Sequence, residues 1–296
     1  MSRASLLNQQ DQTAEGRQEM TSLQTPRCPH MQAASNEQPE GDRPRLMRMS
    51  EVERAQDPDS SLTCIAAWTR AFLARPHPQL GRKGAVCPFV PLSLVMDSIW
   101  LAEVSEPDAS FESISQIITE YRDLFLKTEP TTGSDSLQKA FMIVFPTLGP
   151  DGAALVDKVQ YALKKFFVDM GLMLGEFHAA NEGEGLRNPD FRPLRSPVPM
   201  LAIRHMVESD LPFLMRESYP AAERSSFLRS YLSRMGRGLT PHKFGVVLDR
   251  LIAAEIEVWV ASATAAGHVQ AAQLPVPGQA VRELRRSAAQ PVGASQ

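Results

Sequence analysis

The chain has 296 residues, a formal net charge of −3, 43% hydrophobic residues and 22% charged residues. This balanced charge argues against a protein that binds a nucleic-acid backbone. The sequence contains no apolar run of about 18 residues, so it predicts no membrane-spanning helix. Three cysteines are a poor supply for disulfides, so we expect a cytoplasmic protein.

The distribution of aromatic residues predicts one folded domain between two tails. Every aromatic residue lies between Trp68 and Trp259. The first part of the chain is rich in Gln, Glu, Ser, Arg and Pro, and it has too little apolar surface to offset the entropy of ordering it. We therefore predict a disordered N-terminal tail over 1–57, an α/β domain over 58–266 and a flexible C-terminal tail over 267–296.

Helical spacing and short apolar runs alternate through the first half of this domain. Apolar residues recur every three or four positions from Phe111 to Phe125, as in an amphipathic helix, whereas Phe141 to Phe145 is a short apolar run before a proline. The predicted elements are, in order, a helix over 61–73, a strand over 98–104, a helix over 111–125, a strand over 141–145, a helix over 155–170 that Gly171 ends, and a strand over 172–177.

A further strand over 199–206 precedes a helical C-terminal part. We predict a short helix over 211–216 with Asp210 as its N-cap, a helix over 227–235, and a last helix that begins at Thr240-Pro241. Two β-α-β crossovers predict parallel neighbours, and the last strand is expected to pair antiparallel. The predicted fold is a single small mixed sheet of about four strands, covered by helices.

The first irregular segment, residues 77–91, holds candidate residues for chemistry. Gly81 and Gly84 permit unusual backbone angles, and with Arg82 and Lys83 they predict a cradle for an anion. His77 is a candidate general base, and the Cys87 thiolate is a candidate ligand for haem iron. The alternative is a proline-stiffened loop with a buried, inert cysteine.

The second irregular segment, residues 177–205, is rich in arginine. Arg192, Arg195 and Arg204 offer planar donor groups that match carboxylates and phosphates. Arg204 lies within an apolar strand, where alternation places it on the face opposite His205, so it needs an anionic ligand or an internal partner such as Asp210 or Glu208.

The histidines of this second segment leave similar alternatives. His178 ends a predicted strand, where it is a candidate general base or metal ligand. The alternative is a polar loop residue that bonds to backbone. No two histidines show the spacing of a zinc motif.

Three stretches resemble a bacterial family, domain of unknown function 6875. They are His-Pro-Gln-Leu-Gly-Arg at 77–82, Gly-Ala-Val-Cys-Pro-Phe at 84–89, and the run from Asn188 to Met206. The resemblance covers roughly residues 60–255. Some members of the family occur beside natural-product genes, but the family carries no established activity.

The general layout is also similar to the YqcI/YcgG family, in which some members are haem-dependent N-hydroxylases of guanidino or amino compounds. The Phe-Pro-Cys order of that family is replaced here by Cys87-Pro88-Phe89, which leaves the ligand position open. The resemblance implies a haem site with an axial ligand from Cys87, His77 or His178. Its propionate partners would be Arg192, Arg195 and Arg204, with Arg82 and His205 as further cofactor-binding residues.

These observations lead to two functional hypotheses and a structural alternative. The first is a haem-dependent oxygenase or N-hydroxylase of specialised metabolism, with its cleft between the two loops and His77, Cys87 and His178 as catalytic candidates. The second is a non-catalytic binding module for an anionic small molecule or a carrier-protein partner. In the third reading, the arginine loop only stabilises the fold. The oligomeric state stays open.

Overall fold

The sheet is mixed and open, with five strands in the order β1-β2-β3-β5-β4. A computed structural model of the protein describes residues 45–106, 109–149 and 151–265. The strands are β1 (Met47–Arg48), β2 (Ile99–Glu103), β3 (Ala140–Val144), β4 (Leu172–Phe177) and β5 (Met200–His205). This confirms the predicted fold class, an α/β domain built on one mixed sheet with a helical C-terminal part.

The neighbouring interior strands β2 and β3 are parallel, with Leu101 opposite Met142. Their sequences are almost continuously apolar because helices or loops cover the sheet on both faces. The short β1 pairs antiparallel with β2, and β5 pairs antiparallel with both β3 and β4. The prediction of a second pair of parallel neighbours, β3 with β4, is therefore wrong. After β4 a long connection reverses the chain direction, and β5 lies between β3 and β4.

One face of the sheet is covered by two amphipathic helices. These are α4 (Phe111–Lys127) and α6 (Gly152–Asp169), and their apolar stripes pack on Phe141, Ile143 and Ile203. The predicted spacing of both helices is confirmed, and Gly171, with a φ of 76°, ends α6 as expected.

The other face is covered by shorter elements and by the first irregular loop. They are α1 (Met49–Ala55), α2 (Ser61–Trp68), a π-helical turn (Thr69–Leu73), a 3-10 turn (Pro78–Leu80) and α3 (Val90–Val95), with α5 (Gly133–Ser136) before β3. Residues 47–55, which composition assigned to the tail, form β1 and α1 because Met49 and Val52 are buried there. The predicted C-terminal tail, and the N-terminal tail up to residue 44, lie outside the described residues.

Three helices follow the sheet and pack beside β4. They are α7 (Leu211–Leu214), α8 (Ala221–Met235) and α9 (Pro241–Ala265). The Thr240 hydroxyl accepts the Lys243 amide (3.3 Å), which confirms the predicted cap of α9. Asp210 does not cap α7 with its side chain, because its carboxylate is bound by Arg204 and by the Val207 amide. Among the described residues, no helix is long and apolar enough to cross a membrane.

Candidate functional site

The two irregular loops contact each other on the face of the sheet that α2 covers. The Asn188 side-chain amide donates to the Gln79 carbonyl oxygen (2.8 Å), and the His77 ring stacks on Phe191 with centroids 4.7 Å apart. At Gly81 an added Cβ would lie 3.0 Å from the Arg187 Cβ. The loops that the sequence singled out are therefore neighbours, and they meet by close packing.

The first loop is held by its own backbone and by Arg82. Gly81 and Gly84 have φ values of 72° and 92°, in the left-handed region that favours glycine. The Arg82 guanidinium donates to the carbonyl oxygens of Lys83 (3.1 Å) and Val86 (2.9 Å). Arg82 thus stabilises the turn, and because carbonyl groups are neutral, its positive charge is not cancelled.

His77 lies in an aromatic cluster rather than beside another titratable candidate. Its ring contacts Phe72 edge-on as well as Phe191, and its Nδ1 accepts the Gln79 amide (3.2 Å). This places His77 at the start of the 3-10 turn, where it fixes the loop. Its proposed role as a general base stays a prediction.

Cys87 and Arg204 lie at the end of the sheet where β5 finishes. Cys87 carries a free, half-buried thiol, and the Arg204 guanidinium carbon lies 5.8 Å from the Phe89 ring centroid. Arg204 binds both carboxylate oxygens of Asp210 (2.7 and 2.6 Å). Burial lowers the pKa of Arg204, but the hydrogen bonds and charge of Asp210 outweigh burial and raise it. The structure therefore shows the internal Arg204–Asp210 pair.

The arginines of the second loop also have an internal carboxylate. Arg192 donates to Glu182 (3.1 Å), and Arg195 donates to the other oxygen of the same carboxylate (2.5 Å) and to the Asn181 carbonyl oxygen. These two hydrogen bonds lower the pKa of Glu182. Glu182 is therefore the internal carboxylate partner of both arginines.

His178 is buried at the end of β4, on the face of the sheet that α6 covers. Its Nε2 lies 2.9 Å from a carboxylate oxygen of Asp157 in α6, and its Nδ1 is buried without a partner in the described structure. Cys87 packs on the opposite face, so the two predicted metal ligands are not brought together. Within residues 45–265, apart from the undescribed positions, no group of three or more metal-ligating side chains is assembled.

His205 lies on the face opposite Arg204, as the alternation predicted. Its ring centroid is 5.1 Å from that of Phe125, and its Nε2 is buried without a partner among the described residues. Burial, together with the charge of Lys139, lowers the pKa of His205. His205 and Arg204 therefore do not face a common ligand.

The haem site that the more distant resemblance implies stays a prediction. Each predicted propionate partner binds a carboxylate of the protein, and among the candidate axial ligands His178 lies on the face of the sheet opposite Cys87. A surface cavity of about 180 Å³ lies outside the ends of β2 and β3, and another of about 280 Å³ lies beside α3. Neither cavity is lined by His77, Cys87 or His178.

The cavity beside α3 contains residues that the sequence reasoning missed. Two arginines and four apolar side chains line it: Arg70, Ala74, Arg75, Pro91, Leu94 and Val95. Arg70 is paired with Glu53, whereas the Arg75 guanidinium has no ion pair or hydrogen bond in the described part of the chain. A sequence signal was present, because residues 60–96 carry Arg70, Arg75, Arg82 and Lys83 but no aspartate or glutamate.

The comparison with protein families assigns the chain to a family. The family model described as Domain of unknown function (DUF6875) matches residues 62–243, which include both irregular loops, and the chain belongs to this family. No curated protein and no solved structure matches the chain. The similarity to the YqcI/YcgG family stays a prediction.

Proposed function

We propose that this chain is a binding protein for a small amphipathic anion, a carboxylate or phosphate that carries an apolar chain. The proposed site is the cavity beside α3 together with the basic loop surface, by which we mean Arg75, Arg82, Lys83 and Arg187. The observation that carries the proposal is a cavity in which the unpaired Arg75 stands beside apolar walls.

Uncompensated positive charge supports an anionic ligand. The side chains of Arg75, Lys83 and Arg187 are exposed and have no ion-pair partner among the described residues, and the Arg82 guanidinium binds only carbonyl oxygens. Glu53, which precedes this region in the chain, neutralises Arg70. A one-signed surface of this kind raises the local concentration of anions.

Exposed apolar surface beside Arg75 supports an apolar chain on the ligand. Val95 is 81% exposed and Leu92 is 50% exposed, and both belong to α3, which forms one wall of the cavity. Large exposed aliphatic side chains in one place are typical of interaction sites. The cavity volume of about 280 Å³ is at the lower limit of small-molecule sites, so a short chain suits it.

Calorimetric titration with octanoate and octyl phosphate tests the proposal. We expect both probes to bind, octanol to bind weakly or not at all, and Arg75→Ala to weaken binding by about tenfold, because a charge-assisted hydrogen bond is lost. Arg229→Ala is the matched control, since Arg229 is exposed on α8 and paired with Glu255. Equal binding by Arg75→Ala and by the wild type would exclude this cavity as the site.

Two further measurements on the same purified protein would distinguish two other functions. Binding of an acidic carrier protein without octanoate binding would favour the partner-recognition form of the module. A stoichiometric Soret band after addition of haem, lost in Cys87→Ala, His77→Ala or His178→Ala, would favour the oxygenase or N-hydroxylase instead. In that case haem would supply the oxidation chemistry and the protein the ligand and orientation.

A further inference from the structure

The cavity beside α3 is lined by two arginines that a π-helical turn brings together. Arg70 belongs to this turn, and Arg75 follows its end. Residues five positions apart lie about 140° apart around a regular α-helix, so they would point in different directions. Here the Ala74 amide donates to the Thr69 carbonyl oxygen (2.9 Å), which is an i to i+5 bond and adds one residue to the turn. The wider turn lets Arg70 and Arg75 line the same cavity.

Arg70 is neutralised by a carboxylate from α1. Its Nε donates to one oxygen of Glu53, and its Nη2 donates to the other oxygen (2.8 Å), so the pair is bidentate. Glu53 directly follows Val52, which is 2% exposed and which, with Met49, packs α1 into the core. The backbone that carries Glu53 is therefore fixed beside Arg70.

Arg75 keeps its full charge. Its side chain is exposed, and in the described part of the chain its guanidinium has neither an ion pair nor a hydrogen bond. The remaining residues that line the cavity are uncharged: Ala74, Pro91, Leu94 and Val95. Since Glu53 neutralises Arg70, the cavity presents one uncompensated positive charge beside apolar walls.

A single uncompensated guanidinium matches a carboxylate better than a phosphate monoester. A carboxylate has one charge and two oxygens, which fit the planar donor group of Arg75. A phosphate monoester carries a charge of about −1.5 to −2 near pH 7. Its second charge would meet no free cation among the described residues that line the cavity, and the carboxylate of Glu53 would repel it.

We propose that Glu53 is a specificity-determining residue, which makes this cavity selective for an aliphatic carboxylate over an alkyl phosphate because it neutralises Arg70. This selectivity rests on the proposed function, since it concerns the same cavity. Arg75 binds the carboxylate of the ligand, and the alkyl chain lies on Leu94 and Val95 of α3. Without the charge of Glu53, Arg70 and Arg75 would together match the double charge of a phosphate.

Calorimetric titration of the full chain with octanoate and octyl phosphate at pH 8 tests this selectivity, because the phosphate is then a dianion. We expect the wild type to bind octanoate about threefold more tightly than octyl phosphate, or better. Glu53→Gln should lose this preference. Removing a negative charge from the cavity favours a dianion by twice the Coulomb energy that a monoanion gains.

Glu51→Gln is the matched control, because it removes the same charge from α1. The Glu51 carboxylate accepts the Arg48 backbone amide (2.7 Å) and does not bind a cavity arginine, so this variant should keep the preference of the wild type. A double variant, Arg70→Gln with Glu53→Gln, removes both charges of the pair and should restore the preference. Circular dichroism checks that each variant is folded.

The possible outcomes separate this selectivity from the proposed function. If the wild type binds neither probe, both are overturned. If it binds the two probes equally, or octyl phosphate more tightly, only the selectivity is overturned, and this comparison holds even if Glu53→Gln does not fold. An unchanged preference in Glu53→Gln, or its loss in Glu51→Gln, would show that Glu53 does not determine the selectivity.

Discussion

At the level of single residues, Arg204 shows how this protein accommodates charge within an apolar strand. Asp210 is 1% exposed and binds Arg204 through both oxygens, and it also accepts the Val207 amide. The carboxylate therefore neutralises a charge on β5 and fixes the turn that follows the strand. Removing one partner of such a pair leaves the other charge desolvated and unpaired.

We expect Asp210→Ala to lower the free energy of unfolding by about 2–4 kcal/mol, measured by urea denaturation. Glu208→Ala is the control, because Glu208 is exposed and its pairing with Lys243 should contribute less than about 1 kcal/mol. Equal effects of the two substitutions would mean that the Arg204–Asp210 pair does not stabilise the strand.

The sequence identified Asp210 as a possible partner of Arg204, because an arginine in an apolar strand needs a nearby carboxylate. Glu182 was not identified as the partner of Arg192 and Arg195, since ten and thirteen positions of irregular chain separate them. Periodicity gives no distance within an irregular loop. The contact of His178 with Asp157, which lie on different elements, could not be predicted from the sequence either.

At the level of elements, the loop after the π-helical turn depends on glycine. Gly81 combines a left-handed backbone with the close approach of Arg187 from the second loop. A side chain at position 81 would be strained by the left-handed backbone, and it would also lie too close to Arg187 of the second loop. The conformation of one loop is thereby linked to the position of the other.

Gly81→Ala should destabilise the protein by about 1–2 kcal/mol and weaken octanoate binding, because the loop that carries Arg82 and Lys83 shifts. Thermal denaturation and calorimetry measure the two effects. At Gly149 an added Cβ meets no atom within 4 Å, so Gly149→Ala is the control and should change neither quantity. An unchanged melting temperature for Gly81→Ala would contradict the inferred strain.

Most helices and strands were predicted because their apolar spacing reports directly on backbone geometry. The range predicted for β4, residues 172–177, agrees with the structure, and α4 and α6 agree closely. The place of β5 was not predicted, because the sequence of a strand shows which of its faces are buried but does not identify its neighbours. The short β1 was missed because two residues carry no period.

At the level of the whole molecule, two buried lysines affect stability in the alkaline range. Lys139 is 1% exposed and donates to the carbonyl oxygens of Phe125 and Thr128 at the end of α4. Burial lowers the pKa of Lys139, like that of Lys164, to about 8. Between about pH 8 and the ordinary lysine value of 10.5, the unfolded chain therefore binds more protons than the folded one.

The free energy of unfolding should accordingly rise from pH 8 to pH 10, by about 1–3 kcal/mol per lysine. Above pH 10 it should fall, because burial raises the pKa of Tyr121 and Tyr231 to about 12 and their stabilising protonated form is lost. Urea denaturation at several pH values measures this profile. The rise should be smaller in Lys139→Met than in the wild type, and a parallel profile in the variant would contradict the lowered pKa.

The sequence by itself determined the element types, the α/β class, the family and the two irregular loops, because each is expressed in local spacing or in short motifs. Tertiary structure alone decided the strand order, the partners of the arginines, the separation of Cys87 from His178, and the burial of Lys164 against Tyr219. These features depend on contacts between segments distant along the chain. Such contacts arise from packing, which leaves no fixed spacing in the sequence.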